Sequence, residues 1–213
     1  MTDIAVTTME KPKIYITYDS SLSPDDMAVI REATEELNAL FPMCTVEHLD
    51  SVSGDAFLEG TFNEQGRANS NVILQRMHSA FEKLPDMAAA VLITDRDLYS
   101  SSLKLKWLFG AANIKRRVTA QSLCRYKDLD EANKSACIRR TLRHELGHCF
   151  GMASDLKRVN TEDNSGPHCT VPGCSMRQAE NLQVLQMRAN GEDRRGMYFC
   201  PDCMEDLKRH FEH

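Results

Sequence analysis

ANKSACIRRTLRHELGHCFG, residues 132–151, is the stretch that decides the fold. Asp130 stands before it as a favourable N-cap residue, and Gly151 can close it because glycine readily takes the left-handed conformation at a helix end. Leu142 and Leu146 give its second half an apolar side that can pack against other elements. The stretch therefore predicts one long helix with defined ends and a buried face.

This helix carries two histidines and a glutamate at a spacing suited to metal chemistry. His144 and His148 are four residues apart, so both imidazoles point from one helix face at a single ion, and Glu145 projects beside them. A catalytic zinc ion needs three protein ligands and an open fourth position, where the pKa of bound water falls to about 7. The motif predicts a zinc hydrolase whose third ligand lies elsewhere in the chain.

The residues alone leave that third ligand open. Gly151, three residues beyond His148, is typical of the metzincin group of zinc peptidases, in which the ligand follows three residues after this glycine. Here Ser154 holds that position, and a polar stretch, residues 152–167, surrounds it. Three alternatives remain. The ligand could be Asp155, one residue later, or His168, beyond the polar stretch. It could also be a distant carboxylate as in gluzincins, either Glu162 or Glu180.

Four cysteines form two close pairs further along the chain. Cys169 and Cys174 flank a Pro-Gly turn, and Cys200-Pro-Asp-Cys203 is a second pair of the same kind. Such pairs close tetrahedral four-thiolate zinc sites, which are structural rather than catalytic. Two disulfides are the alternative if the protein is exported to an oxidising compartment.

Segments of strand and helix character alternate before the long helix. β-branched and apolar runs predict strands at residues 13–18, 44–49 and 87–94, and the stretches between them predict helices at residues 24–40 and about 68–84. This order predicts an α/β fold, a mixed twisted sheet with helices packed on it.

The remaining segments predict shorter elements within one domain. They are strands at 106–110 and 117–126, a loop at 152–167, and helices at about 177–189 and from about 201. Since no linker divides the chain, we expect a single domain over residues 1–213. It would have an N-terminal part, 13–151, that ends in the zinc-binding helix and a C-terminal part, 152–213, that holds the four cysteines.

Composition excludes several function classes. The 213 residues carry a formal net charge of −5, so no chain-wide positive field favours nucleic acid. The longest apolar run, residues 87–93, is far too short to cross a bilayer, which takes roughly twenty residues. The N-terminus shows no secretory signal, and we therefore expect a cytoplasmic protein, with its oligomeric state left open.

Several motifs together resemble the archaemetzincin family. They are HELGHCFG at 144–151, the dipeptide His168-Cys169, Cys174-Ser-Met176, Cys200-Pro-Asp-Cys203, and the upstream stretch VLITDRDLYSSSLKLKWLFGAA at 91–112. Two departures are visible. About fourteen extra residues separate Gly151 from His168, and the stretch between Met176 and Cys200 is longer than the family's usual spacing.

The resemblance implies a metzincin-like fold and a site assigned residue by residue. Glu145 would be the general base, and Met176 the residue of the Met-turn beneath the metal. Two zinc ions per chain are implied: a catalytic one on His144, His148 and His168, and a structural one on Cys169, Cys174, Cys200 and Cys203.

Two functional hypotheses follow. The first is a zinc metallopeptidase that acts on peptide or protein substrates, with Glu145 accepting a proton from the attacking water. The second is a zinc-stabilised binding or scaffold protein with little hydrolytic activity, which the serine at position 154 makes worth considering. The presence of Glu145 favours the peptidase, because a scaffold has no chemical need for that carboxylate.

Overall fold

The computed structural model describes residues 10–84, 86–103 and 105–212. The N-terminal residues 1–9, which contribute to the expected localisation, lie outside this range. Ten strands and six helices are described. The strands are β1 (Lys13–Tyr18), β2 (Thr45–Ser53), β3 (Ala68–Asn69), β4 (Met87–Thr94), β5 (Leu98–Ser100), β6 (Leu105–Leu108), β7 (Gly110–Asn113), β8 (Val118–Ser122), β9 (Thr161–Asp163) and β10 (Pro167–Cys169). The helices are α1 (Pro24–Leu40), α2 (Asp55–Leu58), α3 (Ser70–Phe81), α4 (Glu131–Cys149), α5 (Leu182–Arg195) and α6 (Pro201–Glu212).

The main sheet has five strands in the order β2-β1-β4-β8-β7. The first four strands run parallel, and β7 pairs antiparallel with β8 at one edge. Two smaller sheets accompany it, β3-β5-β6 and the hairpin β9-β10. The predicted fold class, a mixed α/β sheet with helices packed on it, is confirmed.

The sheet is covered on both faces, which explains its apolar central strand. In β4, Val91 and Ile93 belong to one buried cluster, together with residues of α1 and α4. Leu92 belongs to a second cluster, together with residues of α3. Successive side chains point to opposite faces, and helices cover both faces. Every residue of β4 is therefore buried, and the strand is an almost uninterrupted apolar run.

The long helix α4 forms as its sequence predicts. The Asp130 side chain caps it by accepting a hydrogen bond from the Asn133 N–H at 2.9 Å. Phe150 ends it, and Gly151 follows with φ +73°, a conformation that favours glycine. The helix packs against α1, α5 and the strands β7 and β8. Fourteen of its nineteen residues are buried, so the helix runs through the interior rather than over the surface.

Several segments differ from the sequence prediction. The strand predicted at 117–126 ends at Ser122 and is followed by a short 3₁₀ helix, Cys124–Tyr126. The C-terminal helix expected at about 177–189 begins later, because Asn181 caps α5 with its side chain and Gly196 ends it in the left-handed conformation. The stretch 152–167, which the sequence predicts to be a loop, contains β9 and the start of β10. Short strands of this kind have too few residues to show a period in the sequence.

Within the described ranges, no helix combines the length and apolar character that a membrane crossing requires.

Removing the cap of α4 tests how far this helix depends on its N-terminus. Asp130→Ala removes the acceptor for the Asn133 N–H, and we expect the free energy of unfolding to fall by about 1 kcal/mol. Urea denaturation followed by circular dichroism measures this change. Asp128→Ala, an exposed aspartate before the helix, is the matched control and should change stability by less than half as much. Equal effects of the two substitutions would contradict the capping role.

Candidate metal centres

Three imidazoles meet at the C-terminal half of α4. His144 and His148 come from this helix, and His168 comes from β10. Their ring centroids are 4.7, 5.0 and 5.2 Å apart, and each histidine is at most 9% exposed. The Nε2 atoms of His144 and His148 are 3.2 Å apart. One nitrogen from each ring lies within 4.8 Å of the others, so the group could hold a single metal ion.

Hydrogen bonds fix which nitrogen of two rings faces the centre. Nδ1–H of His144 donates to the Ser175 carbonyl at 2.7 Å, and Nδ1–H of His168 donates to the Gly166 carbonyl at 2.8 Å. A carbonyl can only accept, so Nε2 of both rings carries the lone pair that a metal ion requires. The buried Nδ1 of His148 has no hydrogen-bond partner among the described residues.

Burial keeps the three rings neutral. It lowers the pKa of His144 well below its usual value, and the neighbouring His148 and His168 lower it further. The same causes, burial first and then His168, lower the pKa of His148 to about 3. Burial also lowers the pKa of His168. Neutral imidazole is the form that binds metal ions.

The polar stretch 152–167 brings His168 to the helix. Its second half is the hairpin β9-β10, in which His168 is paired with Glu162. The hairpin turns through Ser165 and Gly166, both with positive φ. At the end of the hairpin, the Cys169 N–H donates to the Met176 carbonyl at 3.1 Å. Thus the chain leaves α4, makes an excursion over the surface and returns to the same place.

The other candidate ligands lie elsewhere. The histidine group contains no carboxylate among the residues that the structure describes. Asp155 is exposed, and its carboxylate accepts the N–H of Lys157 at 2.9 Å. Glu162, Glu180 and Ser154 are exposed as well.

Glu145 lies beside the three histidines in a tightly enclosed position. It is 7% exposed, and burial raises its pKa to about 8. Gly110, the first residue of β7, packs directly on its carboxylate: a Cβ atom at position 110 would lie 2.6 Å from Oε1. Glycine is required there because the strand backbone approaches the side chain so closely.

Met176 packs beneath the helix at Gly147, between the two histidines of α4. A Cβ atom at position 147 would lie 2.3 Å from the Met176 sulfur and 3.2 Å from the Met152 sulfur. Both methionines are fully buried. The glycine within HELGH is thus explained by the close approach of a methionine side chain, for which the sequence carries no signal.

A buried charge network supports His144 from the side of α5. Glu192 accepts from Arg140 Nε at 2.9 Å, from Arg143 Nη2 at 3.3 Å and from Ser175 Oγ at 2.5 Å. The two arginines and the glutamate are at most 2% exposed. Since the Ser175 carbonyl holds His144, the network fixes the backbone that orients this ring. The sequence gives no signal for this network, because arginines on an amphipathic helix are usually solvated.

Four buried thiols form the second cluster. One pair of Sγ atoms, from Cys169 and Cys200, is 3.7 Å apart, and the pair from Cys174 and Cys203 is also 3.7 Å apart. A disulfide needs about 2.05 Å, so these pairs are not bonded to each other. All four sulfur atoms lie within 4.8 Å of one another, and the group could hold a metal ion. Backbone N–H groups of Val171 and Cys200 donate to two of the sulfurs, as is usual around metal-bound thiolates.

A cleft of about 360 Å³ opens in front of the three histidines. Its lining is mainly apolar and includes Trp107, Phe109 and the residues of β7 up to Ala112. Glu145 lies at the histidine end, and Gln178 and Glu180 contribute polar atoms. The cleft therefore offers an apolar channel that ends at a candidate metal position and a carboxylate.

A larger side chain at position 147 tests the packing of Met176 beneath α4. Gly147→Ala places a methyl group against the Met176 sulfur, and we expect a loss of about 1–3 kcal/mol in the free energy of unfolding. In the double variant with Met176→Ala, the clash is absent, so the combined loss should be smaller than the sum of the two single losses. Urea denaturation of the four proteins measures the coupling. Strict additivity would contradict the contact.

Comparison with known proteins agrees with the geometry. No family model matches the sequence. The archaemetzincin of Methanopyrus kandleri is 28% identical over 120 residues, which cover 56% of this chain and 55% of the relative. The archaemetzincin of Sulfolobus acidocaldarius is 26% identical over 148 residues, covering 68% of this chain and 70% of the relative. The first match thus spans about half the length of that relative.

Solved structures extend the similarity to nearly the whole chain. The crystal structure of archaemetzincin from Methanopyrus kandleri has a TM-score of 0.70 at 19% identity and covers 98% of this chain and 99% of that one. A zinc-dependent peptidase from Methanocorpusculum labreanum has a TM-score of 0.67 at 24% identity, covering 91% of this chain and 99% of that one. At these identities the likeness shows the fold. Taken with the sequence matches, it confirms the resemblance of this chain to the archaemetzincin family.

Proposed function

We propose that this chain is a zinc-dependent metallopeptidase that hydrolyses peptide bonds. One observation carries the proposal: three neutral imidazoles converge beside a buried carboxylate at the end of an apolar cleft. The names of the relatives, archaemetzincin and zinc-dependent peptidase, agree with it. In this proposal the chain acts as one catalytic domain, because a single buried cluster extends from β1 through α4 to the cysteines and α6.

The two clusters would hold two different zinc ions. The catalytic ion would be bound by His144, His148 and His168, which leave one coordination position for water or substrate. The structural ion would be bound by four thiolates, which suits zinc because soft sulfur ligands form closed tetrahedral sites. Its ligands would be Cys169, Cys174, Cys200 and Cys203.

Glu145 would act as the general base. When bound, the catalytic zinc supplies a Lewis acid that polarises the scissile carbonyl and makes water easier to deprotonate. The Glu145 carboxylate accepts a proton from the attacking water and then donates it to the amine of the leaving peptide. Its burial suits this role, because a raised pKa brings a carboxylate nearer to neutral pH, where it can both accept and release a proton.

The edge strand β7 would align the substrate. It is the last strand of the main sheet, so within the described sheet its outer edge has no strand partner. Its residues line the cleft, and its first residue lies against Glu145. An extended peptide can add to such an edge through backbone hydrogen bonds, which fix its direction without requiring a particular sequence.

Substitution of the base separates catalysis from metal binding. Glu145→Gln keeps the size of the side chain but removes its basicity, so we expect zinc retention and a fall in kcat of at least about a hundredfold. Cleavage of a fluorogenic peptide library by the purified protein, with and without a chelator, measures activity. Glu180→Gln is the matched control because Glu180 also lines the cleft but is exposed. A Glu145→Gln protein as active as its parent would disprove the proposed base.

Two single variants decide between the candidate third ligands. His168→Ala should lose most zinc from the histidine site and keep the tetracysteine site filled, because only an imidazole has been removed. Asp155→Ala should leave the zinc content unchanged, since its carboxylate bonds to the backbone of Lys157 in an exposed loop. Zinc content per chain by mass spectrometry checks both. Zinc loss in Asp155→Ala together with full retention in His168→Ala would overturn the assignment.

A further inference from the structure

The stretch 152–167, which lengthens the chain between Gly151 and His168, is fastened to α6 rather than free. We infer that Arg158 and Asp206 are positioning residues that attach this stretch to the tetracysteine centre and thereby hold His168 in place. The inference rests on the proposed function, since it assumes that both clusters bind zinc. It assigns a role to a segment whose length departs from the family's spacing.

Asp206 fixes the beginning of the stretch. It lies three residues after Cys203 on α6 and is 8% exposed. Its Oδ2 atom accepts the N–H of Ala153 at 3.0 Å and also contacts the Arg158 guanidinium. Ala153 has φ +57°, an unfavourable conformation for a residue other than glycine. The hydrogen bond to Asp206 therefore stabilises the strained point at which the chain leaves the zinc-binding helix.

Arg158 connects the middle of the stretch to the cysteines. Its Nη2 donates to the Cys203 sulfur at 3.6 Å, while Nη1 pairs with Asp206. Four thiolates around one Zn²⁺ carry a net negative charge, so a guanidinium beside one of them offsets that charge. The planar fork of arginine can bind the carboxylate and the sulfur at the same time, which a lysine cannot do.

The same arginine is linked to the strand that pairs with His168. Its Nε donates to the Asn160 side chain at 3.0 Å, and the Asn160 amide in turn donates to Asp202 on α6. The Asn160 carbonyl accepts the N–H of Thr170 at 2.9 Å. Asn160 immediately precedes β9, and β9 pairs with β10, which contains His168. A continuous set of contacts thus joins the tetracysteine centre to the third imidazole.

A plain surface ion pair is the alternative, and it would contribute little to stability and leave both metal sites unaffected. Burial argues against it, because the Arg158 and Asp206 side chains are 13% and 7% exposed. Each side chain also makes a further hydrogen bond. Arg158 donates to the Cys203 sulfur, and Asp206 accepts the N–H of Ala153. These contacts are the ones expected of groups that orient metal ligands.

The experiment measures zinc release from the zinc-loaded protein into a colorimetric chelator, in Arg158→Ala, Arg158→Lys and the control Lys157→Ala. Lys157 is exposed and adjacent in sequence. The phase belonging to the histidine site is assigned by its loss in His168→Ala. Removing a group that supports metal ligands usually lowers metal affinity about 10–100-fold. We therefore expect Arg158→Ala to accelerate release from both sites, by a factor of this order at the tetracysteine site. Lys157→Ala should match the parent.

Cobalt substitution gives a readout that folding alone does not change. With Co²⁺ in the tetracysteine site, loss of the hydrogen bond to Cys203 should shift the sulfur-to-cobalt charge-transfer band to lower energy in Arg158→Ala. Arg158→Lys keeps the positive charge but loses the fork, so it should show the same direction of shift. If the alanine variant does not fold, the lysine variant provides the same comparison.

The outcomes separate this inference from the proposed function. A parent protein that binds no zinc at the histidine cluster would refute the proposed function, whatever Arg158 does. A zinc-loaded parent with Arg158 variants that show unchanged release rates and an unchanged cobalt spectrum would refute only the inference. Faster release from the tetracysteine site alone would disprove the link to His168.

Discussion

The contact between β10 and the C-terminal half of α4 brings a third imidazole to the two that the helix supplies. A helix can place two histidines on one face, but a site with three protein ligands needs a residue from another part of the chain. The third imidazole in this structure, that of His168, is twenty positions after His148 and returns to the helix through a hairpin. The N–H of Cys169 donates to the carbonyl of Met176, so the hairpin, the turn at Met176 and the thiol cluster are held as one unit.

The helix that supplies two imidazoles is itself held by buried charges. Arg140 and Arg143 share Glu192, and Glu192 also accepts from the Ser175 hydroxyl. Leaving one member of such a buried network unpaired costs about 3–5 kcal/mol, so the network resists displacement of α4 relative to α5. The Ser175 carbonyl orients the His144 ring, so the network also stabilises the orientation of this ring.

The elements that can be predicted from the sequence are those with a capping residue or an apolar run of their own. Asp130 and Gly151 marked the ends of α4, and the apolar run Met87–Thr94 marked the central strand. The residues that depend on the packing of distant segments could not be predicted in this way. Gly110 and Gly147 look like ordinary glycines in the sequence, and their need for a missing side chain appears only when Glu145 and Met176 are packed against them. The strand β9 likewise depends on its pairing with β10. The late start of α5 is different, because it follows from a local signal, the N-cap residue Asn181.

Anomalous diffraction at the zinc absorption edge, from crystals of the purified protein, tests the central claim most directly: the chain returns after α4 to complete a zinc site with His168. The account predicts two anomalous peaks per chain, one among His144, His148 and His168, and one among the four cysteines. A single peak at the cysteines would contradict it. So would a peak at α4 whose third protein ligand is Asp155 instead of His168.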